Sequence, residues 1–444
     1  MTFSGLISSP ASFMNAPNKI VVSNGYHKFH LAFAAEQLEA AGRLGSLLTG
    51  IYPTSTIKRL LSISGLQSRA GPKRLLDREV KVSPDRIWTC LVGELAEHAG
   101  AITRASGRLE TTDRLASWGL RHYSDQAARA LPRLAQDSRV YHYRAGFGGP
   151  SVQVARRQGL FALCDHSIAH PLVLTPLSRG DSEIGRDRRD DLSRFWRVVL
   201  DDIEAADAVL VNSDFVKETF ALANARTDNV RVIYLGIDDE FANAIPPGEL
   251  ISSRTSGSEA VADIVFAGGF SERKGAHEVI EALSSIPRGS WRFTIAGTVD
   301  PATSKLAGDF LARPDVSCTG WLTRPALAKR MAEADIFLFP SRAEGSARVV
   351  FEALASGCFI VTTKNTGSIV EDGVHGTIVP YKSPAAIARA VEAAIRDLAG
   401  TRRIGRDNAA LIRARYMQSD YGGALLQLYD ELAAADTPGS PLPG

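Results

Sequence analysis

Hydrophobic positions along this 444-residue chain cluster into short apolar runs bounded by glycine and polar residues, and stretches of helical periodicity separate the runs. Lys19-Ile20-Val21-Val22-Ser23 is the first, followed by Asn24-Gly25-Tyr26-His27 and a helical pattern from about 28 to 41. Strand, tight glycine turn and helix open a Rossmann-like unit. Similar runs recur at 140–143, 160–167, 208–213, 230–238, 263–268, 291–297, 316–322, 336–340 and 359–363. Short apolar runs alternating with helical stretches predict buried parallel strands joined by crossover helices, an α/β fold. From Ile87 to Leu134 the pattern is helical with few strand signals, and it is helical again from Ser383 to Ala434.

One run leads into the stretch that carries the candidate chemistry. After Ile336-Phe337-Leu338-Phe339-Pro340 comes Ser341-Arg342-Ala343-Glu344-Gly345-Ser346-Ala347-Arg348-Val349-Val350-Phe351-Glu352-Ala353-Leu354-Ala355-Ser356-Gly357. Ser346 is the expected N-cap, 347–355 the expected helix, and Gly357 closes it in a left-handed cap. A helix start presents unpaired N–H groups and the positive end of the dipole, which suit a phosphate. Two carboxylates flank it, Glu344 before the helix and Glu352 inside it. The plain alternative makes Arg348 and Glu352, four apart, a surface ion pair worth a few tenths of a kcal/mol.

Length and charge refine this picture. A chain of 47.7 kDa exceeds what one core usually supports, so two domains are expected. Cys90, Cys164, Cys318 and Cys358 are scattered and read as reduced core thiols of a cytoplasmic protein. No run approaches the roughly twenty apolar residues of a membrane span, and the N-terminus lacks the pattern of a signal peptide. The net charge of +2 hides an asymmetry: the first 150 residues carry 19 Lys and Arg against 11 Asp and Glu. From Ile57 to Val82, basic residues interleave with Leu and Ile, as in Lys58-Arg59-Leu60-Leu61 and Lys73-Arg74-Leu75-Leu76. Such a segment either lies on an anionic membrane surface or forms a half-buried solvated helix. The polar insert from Ser178 to Ser193 is expected to be a mobile loop, and the Pro- and Ser-rich stretch 242–260 a linker.

Two glutamates eight apart mean little alone, but here a second strand, Phe359-Ile360-Val361-Thr362-Thr363, follows Glu352-Ala353-Leu354-Ala355-Ser356-Gly357. After it come Gly367-Ser368-Ile369-Val370-Glu371-Asp372-Gly373 and Gly376-Thr377-Ile378-Val379-Pro380. The block resembles the donor-binding signature of retaining glycosyltransferases of the GT-B fold, family 4, the group 1 glycosyltransferases. That resemblance implies two Rossmann-like domains facing across a cleft, with a C-terminal helix crossing back to the first. The implied boundaries are an acceptor-side domain at 1–241, a linker at 242–260, a donor domain at 261–415 and a terminal helix and tail at 416–444.

The resemblance also implies roles. Glu344 would hold hydroxyls of the transferred sugar, Glu352 the ribose, and the backbone at Ser346, Ala347, Arg348 and Val349 the phosphates. Phe-Gly is usual where Ser346-Ala347 stand, so donor preference does not carry over. Lys274, in Phe270-Ser271-Glu272-Arg273-Lys274-Gly275, would pair with the diphosphate. The family's arginine after the preceding strand is replaced by Gly269, and Arg273 is the expected second positive charge. Gly25 would approach the diphosphate from the first domain, or is a plain turn glycine. His166, at the carboxyl end of a buried strand, falls where the family carries a histidine near the sugar. Trp321 and Leu322 would hold the base, with core packing as the alternative for Trp321.

The implied reaction moves a sugar from a nucleotide-sugar, UDP- or GDP-linked, to a hydroxyl of a saccharide or lipid-linked acceptor in polysaccharide, lipopolysaccharide or glycolipid synthesis. No metal or other cofactor is expected, since no Asp-x-Asp pair occurs. The expected setting is the cytoplasm, with peripheral contact at an anionic inner membrane face and no nucleic acid. Alternatives are a GT-B epimerase or phosphorylase, or a non-catalytic nucleotide-sugar-binding subunit. A dehydrogenase is improbable without any Gly-x-Gly-x-x-Gly.

Overall fold

The computed structural model describes residues 18–27, 29–64, 73, 75–179, 188–245 and 261–434. Half of the expected insert at 178–193, most of the expected linker at 242–260 and part of the basic 57–82 segment lie outside the described residues. The chain divides into two compact units, one made of residues 1–164, 198–207 and 426–444, the other of 165–197 and 208–425. Among the described residues, no helix is long and apolar enough to cross a membrane.

The first unit is built on β1 (Lys19–Gly25), β2 (Leu44–Thr49), β3 (Ile87–Thr89), β4 (Ser138–Arg144) and β5 (Phe161–Asp165), in the order β3-β2-β1-β4-β5. Parallel pairing sets Val22 of β1 between Leu47 of β2 and His142 of β4. These strands carry Val, Ile, Leu and Tyr on both faces because helices cover both, as parallel sheets require. Ile20, Val21, Val22, Leu48 and Val140 are fully buried. The stretch read as helical contains the short strand β3, then two helices, Val92–Ala105 and Leu109–Leu134. The longer helix locks onto β1 through aromatic residues. Tyr123 meets Ser23 at 3.1 Å and Tyr26 edge-on, while the Tyr26 hydroxyl donates to the Gly119 carbonyl at 2.5 Å. Deep in the same unit, Tyr429 of the last helix, Gln418–Ala434, meets His142 Nδ1 at 2.7 Å.

The second unit holds β6 (Ala208–Val211) paired in parallel with β7 (Val230–Val232), and a six-stranded parallel sheet. That sheet contains β8 (Ala262–Ala267), β9 (Trp291–Ala296), β10 (Val316–Cys318), β11 (Ile336–Phe339), β12 (Phe359–Thr362) and β13 (Gly376–Ile378). Their order is β10-β9-β8-β11-β12-β13. The chain thus builds outward from β8 in one direction, then returns to build outward from β11 in the other. A reversal of this kind opens a crevice at the carboxyl ends of the two central strands, where open α/β sheets bind ligands. Phe266, Phe270, Phe293, Phe337 and Phe339 fill the core beneath.

The expected strand at 230–238 stops at Val232. Beyond it the Tyr234 hydroxyl donates to Asp214, and the Ile237 N–H donates to the Tyr416 carbonyl instead of a strand.

Candidate functional site

The loops after β8 and β11 meet at that topological switch point, and hydrogen bonds hold the second of them on a platform. Along residues 341–347, the Thr363 hydroxyl donates to the Ser341 carbonyl, Asn365 Nδ2 to Arg342, the Glu344 N–H to Asn365 and the Ala347 N–H to Thr366. Gly345 is required by contact. A Cβ there would lie 1.8 Å from the Ser167 carbonyl oxygen, an approach no side chain tolerates. Its own carbonyl accepts from the Ser213 hydroxyl at 2.6 Å.

The helix that follows spans Arg348–Ala355, one residue later than its cap residues suggest. Ser346 is not the N-cap. Ala347 occupies that position with extended backbone and no side-chain cap, because the hydrogen bond from its amide to Thr366 already sets the entry of the chain. The same bond removes the Ala347 amide from the expected phosphate donors. The amides of Ser346, Arg348 and Val349 show no internal partner among the described residues. Gly357, with φ +79°, takes the left-handed conformation expected after the helix.

Three charges gather at the loop. Glu344 Oε1 accepts from Arg273 Nη1 at 2.8 Å, has the Ser341 hydroxyl at 3.0 Å, and lies 3.9 Å from Lys274 Nζ. Arg273 Nη1 also donates to the Ala343 carbonyl at 2.6 Å. Lys274 sits 5.1 Å from the centre of the Phe339 ring. Burial lowers its pKa, partly opposed by Glu344 and reinforced by Arg273. Two cations therefore share one carboxylate, leaving an excess of positive charge beside the helix start, which is the electrostatic requirement for an anionic ligand.

A second cluster lies along the helix. Glu352 is buried and pairs with Arg348 Nε and Arg324 Nη1, both at 3.3 Å. Arg324 Nη2 and Arg348 both reach Asp238, Arg324 at 2.7 Å. Asp238 also caps the next short helix, accepting from the Phe241 N–H at 2.8 Å. Burial raises the pKa of Glu352, and the two arginines offset this only in part. For Asp238 burial acts the same way, but the Phe241 amide and the arginines outweigh it and hold the carboxyl below its usual range. The Arg348–Glu352 pair of the plain reading is thus present, but it belongs to a four-member network and one member is buried.

The other expected residues are placed as follows. His166 is buried at the end of β5; its N–H donates to Leu210 and its Nε2 lies 3.4 Å from the Ala169 carbonyl. The next residue, Ser167, is the one whose carbonyl abuts Gly345. Nearby His170 has its pKa pushed down to about 3 by burial and by His166. Trp321 is 73% exposed after β10, so core packing does not account for it, and Leu322 is half-buried. Gly25, in the first unit, has φ +74°, and a Cβ would come within 2.6 Å of the Phe147 ring. It is thus held by packing as well as by its turn.

Two members of the second cluster were not singled out as site residues from sequence, Arg324 and Asp238. One signal was available. Arg324 opens the helix Arg324–Glu333, and a cation at the positive end of a helix dipole needs a carboxylate partner.

Comparison with known proteins places this geometry in a class. Residues 262–397, covering all six strands of the second sheet, match the family described as "Glycosyl transferases group 1". The chain is 29% identical over 170 residues to the lipopolysaccharide core biosynthesis glycosyltransferase LpsE of Rhizobium meliloti (strain 1021), covering 37% of this chain and 48% of that protein. It spans about half the length of the curated relatives it matches. Among solved structures it is similar to Anabaena HepE in complex with UDP, with a TM-score of 0.61 at 17% identity over 93% of this chain and 99% of that one. Sucrose-phosphate synthase of Thermosynechococcus elongatus gives a TM-score of 0.63 at 18% identity, over 94% and 100%. The fold is GT-B, and the stretch 262–397 is similar to group 1 glycosyltransferases.

Proposed function

We propose that this chain is a retaining, metal-independent glycosyltransferase that moves a sugar from a nucleotide-sugar to an acceptor hydroxyl. The observation that carries the reading is the convergence of Lys274 and Arg273 on Glu344 beside a helix start whose Ser346, Arg348 and Val349 amides have no internal partner among the described residues. Lys274, Arg273 and those amides would stabilise charge growing on the departing diphosphate, a task that in other enzymes can fall to a cation. Glu344, fixed by Arg273 and Ser341, would hold sugar hydroxyls. Glu352 would hold the ribose and exposed Trp321 the base. HepE, solved with UDP, supports a uridine donor. The similarity to LpsE supports an acceptor in lipopolysaccharide or related glycolipid synthesis, and with it a place of action at an anionic membrane face.

The test is a thermal-shift screen of UDP-, GDP- and ADP-sugars followed by transfer assays. A donor at a hundred times its dissociation constant adds about 2.7 kcal/mol of stability. Lys274→Ala should lose that stabilisation, and Glu344→Gln should stay folded while transfer falls at least about a hundredfold. Nucleotide release should depend on added acceptor. Wild-type turnover in either variant would refute the assignment.

A further inference from the structure

The helix Val92–Ala105 of the first unit is turned inside out relative to an ordinary surface helix. Its buried positions are Gly93, Glu94 and Gly100. The glycines let it press against the neighbouring helix Leu109–Leu134, where a Cβ at Gly93 would lie 2.8 Å from the Gly119 carbonyl. Glu94 faces inward to Arg78 and to the Ile51 N–H at 2.6 Å. With small and charged residues inside, the large apolar side chains point out. Leu91, Leu95 and Ile102 follow helical spacing along one exposed stripe, Val92 lies beside it, and Leu109 continues it past the turn; Ile102 is 71% exposed.

Charge says what covers the stripe. Between Leu91 and Arg108 the exposed positions include Arg104 and Arg108 and no carboxylate, since Glu94 is buried and Glu97 is engaged with His27 at 3.3 Å. Arg104 and Arg108 show no partner among the described residues. A second helix, Ser55–Ile63, buries nothing and exposes Leu60, Ile63 and Arg59. The exposed acid beside the stripe, Glu110, already pairs with Arg114, so a second copy of this chain would offer Arg104 and Arg108 no unpaired acid there. Apolar side chains flanked by uncompensated arginines match an interface that is anionic above and hydrocarbon below.

We propose that the outer face of the helix Val92–Ala105, with its arginine-bearing end, docks on an anionic phospholipid bilayer. The inference takes up the membrane setting proposed above and assigns it a surface.

The test is sedimentation of the full chain with vesicles of phosphatidylcholine alone or with one third phosphatidylglycerol, without nucleotide-sugar, at low and high salt. The outcome therefore leaves the transferase reading to its own assay. Binding is expected only to the anionic vesicles and should weaken with salt. Leu95→Asn with Ile102→Asn should abolish it, and Arg104→Gln with Arg108→Gln should weaken it about thirtyfold. Both pairs are exposed, so their thermal melts should match the wild type. Equal binding to both vesicle types, no binding, or binding unchanged in the variants would overturn the proposal. So would a concentration-dependent dimer lost in Leu95→Asn/Ile102→Asn, because a second copy would then cover the stripe.

Discussion

Removal of Arg324 probes whether the buried cluster around Glu352 behaves as one electrostatic unit. Arg324→Ala takes away one of the two cations facing Glu352 and one of the two holding Asp238. Opposite charges about 4 Å apart interact by roughly 4 kcal/mol at an effective dielectric of about 20. The Arg324 side chain is 37% exposed and Arg348 remains, so about a third of that is the reasonable loss, ~1.4 kcal/mol, or about one pH unit. Burial already raises the pKa of Glu352, and losing a cation raises it further. A carboxylate with a raised folded pKa contributes stability that is present below its unfolded pKa and lost as pH rises through the folded value. Asp238 is held below the usual range, so its contribution is present above its unfolded pKa and lost as pH falls. Both effects make the variant progressively less stable than wild type as pH climbs from about 4 to 7, with the two converging in acid. Urea unfolding across that range measures the stability side. On the function side, a ribose held by ionised Glu352 requires the acid limb of transfer activity to move up by about one unit. Parallel stability curves and an unmoved acid limb would show that Arg324 does not act on Glu352.

Two other perturbations test the frame around this site and the core of the first unit. Gly345→Ala should cost several kcal/mol, about 3 or more, because relief of a 1.8 Å contact requires backbone movement at Ser167; a melt like wild type with intact donor binding would contradict the packing. In the first unit the buried Asp202 carboxylate accepts from the amides of Gly146, Gly148 and Gly149 at 2.6 to 2.7 Å, yet burial pushes its pKa up to about 6. Its stabilising contribution is therefore lost as pH rises from about 4 to 6, by up to about 3 kcal/mol, and Asp202→Asn should remove that slope. A wild-type-minus-variant difference independent of pH in urea melts would exclude it.

The elements were legible where burial leaves a mark on short windows. Ile336–Phe339 and Phe359–Thr362 are almost wholly apolar, and they are interior strands of the sheet. The helical stretch expected between the runs at 316–322 and 336–340 is Arg324–Glu333. The reading failed where a tertiary contact outweighs local pattern. Ile87–Thr89 is only three residues long, and its pairing with Leu47, Leu48 and Thr49 makes it a strand, which no periodicity reports. Ser346 has the chemistry of a cap, but Thr366 supplies the contact that fixes the helix entry.

At the candidate site, the family resemblance singled out Glu344, Glu352 and Lys274, each from a short local motif. The partners of Glu352 have no common motif: Asp238 and Arg324 are far apart in the chain, and only the fold brings them to one helix. Arg273 shows how such a partner changes an argument begun from sequence. It was expected to supply the positive charge that Gly269 cannot, yet it grips Glu344, which raises the question whether one guanidinium can serve both a carboxylate and a diphosphate. The donor count answers it. Nη1 spends its two N–H groups on Ala343 and Glu344. Nε and Nη2 carry three more, with no partner among the described residues, in the planar fork that suits phosphate. Diphosphate binding therefore need not break the contact that fixes Glu344. A lysine at position 273 has no such planar second edge: with its three N–H groups on one nitrogen it could not hold Ala343 and Glu344 and also present a paired fork to the leaving group.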